Sequence, residues 1–241
     1  MRYQSLDSLR GGAVALMVLY HFCFDLAYFQ ILSLDFYHDP FWLLARSFIV
    51  TLFLLLVGIS LHLSARRGLT SSAFRQAYSR RIAWLLVCVV LVSLSSHLLS
   101  PSRWIYFGIL HFIIIASLIG LLFVGRPRIS LYMGLALIVV GLFVSFPLFD
   151  HPALQWLGLM TYKPQTDDYV PLLPWFGVVL LGLSIGSRWF GDVSSVHERG
   201  GQMDVVQNRL FVVLGWAGRH SLLIYMLHQP ILFGMLVIIT G

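Results

Sequence analysis

The sequence predicts an all-α fold: a polytopic bundle of about seven transmembrane helices with a cytoplasmic N-terminus. The 241-residue chain is 59% hydrophobic and only 11% charged, and its mean hydropathy is +0.85. Apolar runs of about 20 residues, the length that crosses the hydrocarbon of a bilayer, recur along it. Arginine is concentrated in alternate connections between those runs, as it is in the cytoplasmic loops of membrane proteins.

Seven runs are long and apolar enough to span a membrane, and we expect them to form one domain over residues 1–241. An eighth apolar piece, residues 210–217, is too short to cross. It is either an interfacial helix or the start of the last span. The predicted spans cover residues 9–31, 41–63, 82–98, 104–124, 129–146, 170–187 and 221–240.

The distribution of the 16 Lys and Arg residues predicts how the chain is oriented in the membrane. With seven spans, thirteen of them lie on one side and three on the other, which predicts a cytoplasmic N-terminus and an external C-terminus. This bias also accounts for the net charge of +6, so we expect no nucleic-acid partner. The cytoplasmic set is Arg2, Arg10, Arg66, Arg67, Arg75, Arg80, Arg81, Arg126, Arg128, Arg188, Arg199, Arg209 and Arg219; the external set is Arg46, Arg103 and Lys163.

Polar residues align along one face of the first span. At 100° per residue, His21 lies about 20° from Arg10, with Asp25 near the same azimuth. An ionisable side chain inside hydrocarbon costs at least about 2.5 kcal/mol, so such residues normally face a protein interior or a wet cavity. The stripe is a candidate functional track, although His21 and Asp25 would also satisfy each other inside a bundle. It consists of Asp7, Arg10, His21, Asp25 and Tyr28.

Two later spans carry further polar insertions. His111 lies roughly 10 Å inside the external end of the fourth span, close in sequence to Arg103. The last span presents Ser221, Tyr225 and His228 on one face. We expect His21, His111 and His228, at graded depths, to line a single path. The sequence has no HxxH or HxxxH spacing, and its two cysteines show no metal spacing, so we predict no metal site.

Two of the connections between the spans contain charged residues that are candidates for ligand binding. Residues 66–81 are basic and lie on the predicted cytoplasmic side. They are either a topological signal in contact with anionic lipid or, through Arg75, Arg80 and Arg81, a site for the phosphates of a nucleotide-bearing donor. Residues 150–168 form the longest external connection and end in Asp167 and Asp168. Proline and glycine make it irregular, and it either caps the bundle or lines an acceptor pocket.

Several blocks of the chain resemble a known family. RYQSLDSLRGGAVALMVLYHFCFDL resembles the opening of bacterial membrane proteins related to the heparan-alpha-glucosaminide N-acetyltransferase catalytic domain. It resembles more distantly the acyltransferase-three membrane O-acyltransferases. IYFGILHF, DYVPLLPWFGVVLLGLSIG and GRHSLLIYMLHQPIL resemble later blocks of the first family. The blocks lie between residues 2 and 232, so the resemblance covers most of the chain.

The resemblance implies transfer of an acyl group, typically acetyl, from cytosolic acetyl-CoA to a sugar or glycan across a bacterial cytoplasmic membrane. It implies functional roles for Arg10, His21 and Asp25. We expect His21 to be the general base or acyl carrier and Asp25 to orient it. Arg10, Arg75, Arg80 and Arg81 would hold the CoA phosphates. The path or acceptor site would be lined by Arg103, His111, Asp168, Tyr225 and His228.

Two other functions fit the same residues. A proton-coupled small-solute transporter would use the His and Asp track as a proton relay, although the sequence shows no inverted repeat of broken helices. A non-catalytic assembly subunit would use the polar residues only to join helices. Direct transfer and transfer through an acyl-enzyme both remain open, as do N- and O-acylation and the oligomeric state.

Overall fold

A computed structural model describes residues 3–66, 68–190 and 209–240 of the chain. All regular structure within those ranges is helical, which confirms the predicted all-α fold. Arg2, Arg67 and Arg199, which the charge distribution includes, lie outside the described residues. The described α-helices are α1 (Gln4–Tyr28), α2 (Pro40–Ala65), α3 (Ser72–Leu99), α4 (Ile109–Gly120), α5 (Pro127–Phe143), α6 (Leu172–Phe190), α7 (Arg209–Arg219) and α8 (Ser221–Thr240).

Five of the described helices, α1, α2, α3, α6 and α8, are long and apolar enough to cross a membrane. They correspond to the first, second, third, sixth and seventh predicted spans. The fourth and fifth predicted spans hold shorter apolar helices, at Ile109–Phe123 and Pro127–Phe143. Large apolar side chains such as Trp84 and Leu98 are exposed, as expected on helix surfaces that face lipid.

The short apolar piece at residues 210–217 forms a helix of its own, α7. It ends at Arg219, and α8 begins after His220. The piece is therefore separate from the last long helix. Its exposed apolar side chains include Leu210 and Trp216.

Local capping signals set where several helices begin. Asp39 precedes Pro40 at the start of α2, and its Oδ1 accepts a hydrogen bond from the Phe41 N–H at 2.9 Å. Ser71 caps α3, because its Oγ accepts from the Phe74 N–H at 3.1 Å. Both arrangements satisfy backbone donors that have no partner within the helix. As a result α3 begins well before the predicted span at residue 82, and most of the basic segment 66–81 is helical rather than a loop.

The chain divides into two compact units, residues Met1–Phe53 with Gly200–Gly241, and residues Leu54–Arg199. The first contains α1, the beginning of α2, α7 and α8. Within it α1 packs against both α7 and α8 and buries Ala13, Val14 and Met17. These three apolar residues lie between Arg10 and His21 on the face that carries the predicted polar stripe, so that face of α1 is turned toward protein.

The second unit contains the rest of α2 and helices α3 to α6. α2 and α6 run parallel and approach closely, because a Cβ on Gly58 would overlap the carbonyl oxygen of Val179. At the far end of the pair, the Arg66 guanidinium donates to the Phe190 carbonyl. α5 packs antiparallel to α6, with Gly134 against Gly177. Small residues at such contacts bring helices together where lipid supplies no hydrophobic driving force.

Candidate functional site

Two histidines face each other in the first unit, His21 on α1 and His228 on α8. Their ring centroids are 5.0 Å apart, and the ring planes make an angle of 64°. His228 is 8% exposed, so the contact lies within the helix packing. The structure thus joins the predicted stripe of the first span to the predicted polar face of the last.

Asp25 lies one helical turn beyond His21 and is 1% exposed. Its Oδ1 accepts a hydrogen bond from Nε2 of Gln229 at 3.4 Å. Asp25 Oδ2 and Gln229 Oε1 are buried and have no hydrogen-bond partner among the described residues. A buried polar atom without a partner costs about 1–3 kcal/mol. Such atoms beside two facing imidazoles mark this α1–α8 contact as the candidate active site.

The orientation of His21 comes from ring packing. Between the two described residues His21 and Asp25 there is no hydrogen bond, so the carboxylate does not orient the imidazole directly; it joins α1 to α8 through Gln229. The ring of His21 contacts that of His228 on one side and that of Tyr20 on another, the latter at a centroid distance of 5.8 Å.

A close crossing with α7 holds α1 in place. A Cβ on Gly11 would overlap the carbonyl oxygen of Leu214, and a Cβ on Gly218 would overlap the carbonyl oxygen of Asp7. Only glycine allows two helix backbones to approach this closely. The second glycine of the motif, Gly12, has no such neighbour. The LRGG block is therefore a packing motif at Gly11 in addition to carrying Arg10.

Arg10 lies beside that crossing, near the N-terminal end of α1. Its Nη1 is 3.0 Å from Asp7 Oδ1, and the two side chains are 26% and 14% exposed. The ion pair joins two members of the predicted stripe. It also leaves part of the guanidinium accessible at the helix end that the charge distribution assigns to the cytoplasm.

The three arginines predicted to bind CoA phosphates lie in the second unit, on the first part of α3. Because this part is helical, Arg75, Arg80 and Arg81 point to different sides, separated by about 100–140° in azimuth. Arg75 and Arg80 are exposed, whereas Arg81 is half-buried and follows Phe74 and Tyr78 along the packed face. The structure does not bring the three together, and Arg81 is the one turned toward the helix bundle.

His111 forms a cap at the start of α4 in the second unit. Its Nδ1 accepts from the Gly108 N–H at 3.2 Å, and its Nε2 lies 3.2 Å from Ser93 Oγ. The Ser93 hydroxyl donates its hydrogen to the Ile105 carbonyl at 2.8 Å, so it accepts from His111 Nε2–H. Both ring nitrogens are thereby occupied and the tautomer is fixed. The geometry gives His111 a capping role.

Asp168 caps the same helix from the external connection. Its Oδ2 accepts from the Ile109 N–H at 2.8 Å. The preceding residue, Asp167, pairs with Arg103, with 2.8 Å between Oδ1 and Nε and side chains that are 47% and 43% exposed. Arg103, His111 and Asp168, which we expected on the acceptor side, therefore do lie around one place, the beginning of α4.

Replacing Asp168 with alanine is expected to lower the stability of the protein. The variant loses the acceptor for the Ile109 N–H, and loss of a helix cap costs about 1 kcal/mol, or a fall of about 2–4 °C in the thermal unfolding midpoint. Asp168→Asn retains an acceptor oxygen and should lose less. The measurement is thermal unfolding in detergent, and an alanine variant as stable as the wild type would contradict the capping role.

A buried glutamine organises the external connection. Gln155 is 6% exposed, and its Oε1 accepts from the Tyr106 hydroxyl at 2.7 Å, while its carbonyl accepts from the Tyr169 hydroxyl at 2.6 Å. Its Nε2 donates to the Asp150 carbonyl at 3.0 Å. Burial, with a smaller effect of Tyr162, raises the pKa of Tyr106 to about 12. Burial also raises the pKa of Tyr169, so both hydroxyls stay protonated and act as donors.

The residues that sequence reasoning missed are Gln155 and Gln229. Gln229 had a signal, since it is an uncharged polar residue between His228 and Pro230 in a mostly apolar helix. Gln155 had none, because a glutamine in a connection is ordinary and one of its partners, Tyr106, is 49 residues away in sequence. Within the described ranges, no group of three or more His, Cys, Asp and Glu side chains is placed to hold a metal ion.

Comparison with known proteins identifies the family. The family described as heparan-alpha-glucosaminide N-acetyltransferase, catalytic, matches residues 2–230. No curated protein and no solved structure matches the chain. The match covers nearly the whole sequence and confirms the resemblance carried by the N-terminal, central and C-terminal blocks. Together with five helices able to cross a membrane, it indicates a membrane acetyltransferase. The chain belongs to the heparan-alpha-glucosaminide N-acetyltransferase catalytic family.

Proposed function

We propose that the protein transfers an acetyl group from cytosolic acetyl-CoA to a sugar or glycan acceptor across the membrane. The observation that carries the proposal is the contact of His21 with His228, 5.0 Å between ring centroids, on two helices long enough to span a bilayer. Asp25, buried one turn away, adds a carboxylate to the same contact. The proposed setting is a bacterial cytoplasmic membrane, with the N-terminus inside.

The chemistry of acyl transfer needs such groups. A sugar hydroxyl or amine that attacks a thioester loses a proton, and imidazole accepts protons near neutral pH. We assign His21 as the general base or as an acyl carrier that takes the acetyl group first. Asp25 would stabilise positive charge on the imidazoles, since opposite charges attract strongly where water is excluded. It would do so at a distance of one helical turn and not through a hydrogen bond to His21.

On the cytoplasmic side we assign Arg10 of the first unit and, separately, Arg75, Arg80 and Arg81 of the second unit to the phosphates of CoA. Guanidinium groups bind phosphate oxygens through two parallel hydrogen bonds and keep their charge at all physiological pH values. The partly exposed Arg10 and the half-buried Arg81 support this assignment, because each keeps part of its side chain accessible to solvent.

On the external side we assign Arg103, His111 and Asp168, which belong to the second unit, to the acceptor site or the path leading to it, and we make the same assignment separately for Tyr225 and His228 of the first unit. Asp168 and His111 would shape that site by fixing the start of α4, as their hydrogen bonds to Ile109 and Gly108 support. The Arg103 and Asp167 pair is half-exposed and offers charged groups to the hydroxyl or amine of a sugar.

Acetyl-CoA is expected to raise the thermal unfolding midpoint of the purified protein, because a ligand bound only to the folded state stabilises it by about 2.7 kcal/mol at one hundred times its dissociation constant. Arg81→Gln should lower the affinity for acetyl-CoA by about tenfold and so reduce this thermal shift. The reason is that a hydrogen bond to a charged group contributes about 1.5–3 kcal/mol. Arg128→Gln, which removes an exposed arginine from another predicted cytoplasmic connection, is the matched control. An equal acetyl-CoA affinity in both variants would contradict the role of Arg81.

A proton-coupled transporter is the second candidate, because the same His21, His228 and Asp25 group would also relay protons between solvent spaces. The two functions differ in their need for CoA. A transporter predicts no thermal shift with acetyl-CoA and a proton flux driven by solute in liposomes. A shift with acetyl-CoA together with labelled product favours the transferase.

A further inference from the structure

The ring of His228 is fixed in one tautomer. Its Nδ1 lies 2.7 Å from the carbonyl oxygen of Tyr225. A carbonyl oxygen only accepts hydrogen bonds, so Nδ1 carries the hydrogen and Nε2 of the neutral ring carries the lone pair. The anchor comes from the same helix, α8, and therefore does not depend on which other groups occupy the site.

The lone-pair nitrogen of His228 is buried without a partner. The residue is 8% exposed, and Nε2 makes no hydrogen bond to any described residue. Asp25 Oδ2 and Gln229 Oε1 share this state in the same unit. Buried polar atoms normally find a partner, so an unpaired imidazole nitrogen beside His21 has the character of a group that meets its partner only when substrate is bound.

Other histidines in the described part of the chain lack this combination. His111 has both nitrogens engaged in the α4 cap. His220 has the same type of anchor, with Nδ1 2.9 Å from the Trp216 carbonyl, but its ring is exposed. His21 makes no hydrogen bond to the described residues that would fix its tautomer, and it is held by ring contacts. An anchored Nδ1–H with an open Nε2 is the arrangement of a histidine base in hydrolases.

We propose that His228 is the general base of the transfer, with Nε2 as the atom that takes the proton from the acceptor. The assignment rests on the proposed acetyltransferase function and deepens it. This role for His228 is more specific than that of a path-lining residue, because a general base must contact the reacting hydroxyl or amine. It also separates the two roles left open for His21: the proton from the acceptor goes to His228.

The step that consumes the acceptor has the same proton and electron balance in the direct and the acyl-enzyme routes. In the acyl-enzyme route an enzyme imidazole nitrogen first bonds to the acetyl carbon, the C–S bond breaks with its electron pair on sulfur, and the CoA sulfur leaves with the proton of that imidazole. The acceptor oxygen or nitrogen bonds to the acetyl carbonyl carbon while its proton moves to His228 Nε2. The bond from that carbon to the leaving atom breaks, and the electron pair stays on the leaving atom, either the CoA sulfur or an enzyme imidazole nitrogen. That atom then takes the proton from Nε2, and the Nδ1–H bond to Tyr225 is kept throughout.

The test uses His228→Asn in the full chain. The asparagine amide retains a donor near the position of Nδ1 for the Tyr225 carbonyl but has no group at the position of Nε2. His220→Asn is the matched control, because it makes the same change at a second histidine of this unit whose Nδ1 bonds a backbone carbonyl of the preceding helical turn, and there the ring is exposed. Acetyl transfer from labelled acetyl-CoA to glucosamine, the thermal unfolding midpoint and the thermal shift with acetyl-CoA are measured for both variants and the wild type.

For His228→Asn we expect kcat to fall by about 10²–10⁴-fold, with the KM for acetyl-CoA, the unfolding midpoint and the acetyl-CoA shift close to those of His220→Asn. Turnover within a few-fold of the control would overturn the assignment. If His228→Asn does not fold, His228→Gln is tested in its place, and failure of both to fold would make the residue structural and also overturn it. An inactive wild type would instead overturn the proposed function, and the base assignment with it.

Discussion

Replacing His21 with alanine is expected to reduce acetyl transfer by about 10²–10⁴-fold, the contribution typical of a group that handles protons or forms the acyl intermediate. The expectation follows from the position of its ring, 5.0 Å from that of His228 and next to the buried Asp25. The reaction to be measured is transfer from labelled acetyl-CoA to a glucosamine-type acceptor by purified protein in liposomes, at equal amounts of folded protein.

Leu19→Ala is the matched control for His21→Ala. It truncates a side chain on the same helix that is 58% exposed and points away from α8, so its activity should stay near that of the wild type. The thermal unfolding midpoint separates loss of chemistry from loss of folding. A folded His21→Ala protein with wild-type turnover would show that His21 takes no part in the transfer.

The second large effect is expected at the LRGG block, where Gly11→Ala and Gly12→Ala should change stability in opposite directions. A Cβ on Gly11 would overlap the Leu214 carbonyl, whereas a Cβ on Gly12 meets no atom within 4 Å. Forcing two backbones apart costs about 1–3 kcal/mol or more, while alanine in a helix is about 1 kcal/mol more favourable than glycine.

The paired variants isolate the helix crossing from the chemistry of the neighbouring Arg10. We expect the free energy of unfolding of Gly11→Ala to be at least about 2 kcal/mol below that of Gly12→Ala. Urea or thermal unfolding in the same detergent measures it. Equal stability of the two proteins would mean that α1 and α7 do not cross at Gly11.

The helical fold class and the polar stripe of α1 could be predicted from the sequence, because both follow from composition and a period of 3.6 residues. The buried residues Val14 and Met17 of α1 lie on the face that also carries Arg10 and His21, as the stripe required. Helical period fixes which residues share a face, but it does not say which helix covers that face. The contact of His21 with His228 therefore had to come from the structure.

Helix beginnings differ from the predicted span limits because hydropathy does not register caps. The fourth span was predicted from residue 104, but the chain stays non-helical to Gly108, where backbone bonds tie it to the external connection. Asp167 N–H donates to the Arg103 carbonyl, and Val170 N–H donates to the Phe107 carbonyl. Trp104 and Phe107 are apolar residues of this connection. Hydropathy cannot distinguish them from residues of a span, so it places the start of the span too early.

The roles of individual polar residues were the hardest to predict, because role depends on which atoms are already engaged. His111 and His228 are both histidines inside apolar segments, and sequence reasoning placed both along one path. In the structure, His111 has both nitrogens bound in a cap, whereas His228 has one anchored and one open. No periodicity or spacing distinguishes these two states.

The transfer of acetyl from acetyl-CoA on one side of a membrane to an acceptor on the other side is the measurement that tests the central claim most directly. Purified wild-type protein is reconstituted in liposomes with a glucosamine-type acceptor trapped inside and labelled acetyl-CoA added outside, with protein-free liposomes and His21→Ala protein as controls. We predict labelled acceptor inside the wild-type liposomes alone. No labelled acceptor in either protein orientation, together with no thermal shift on addition of acetyl-CoA to folded protein, would contradict the acetyltransferase account and favour the proton-coupled transporter.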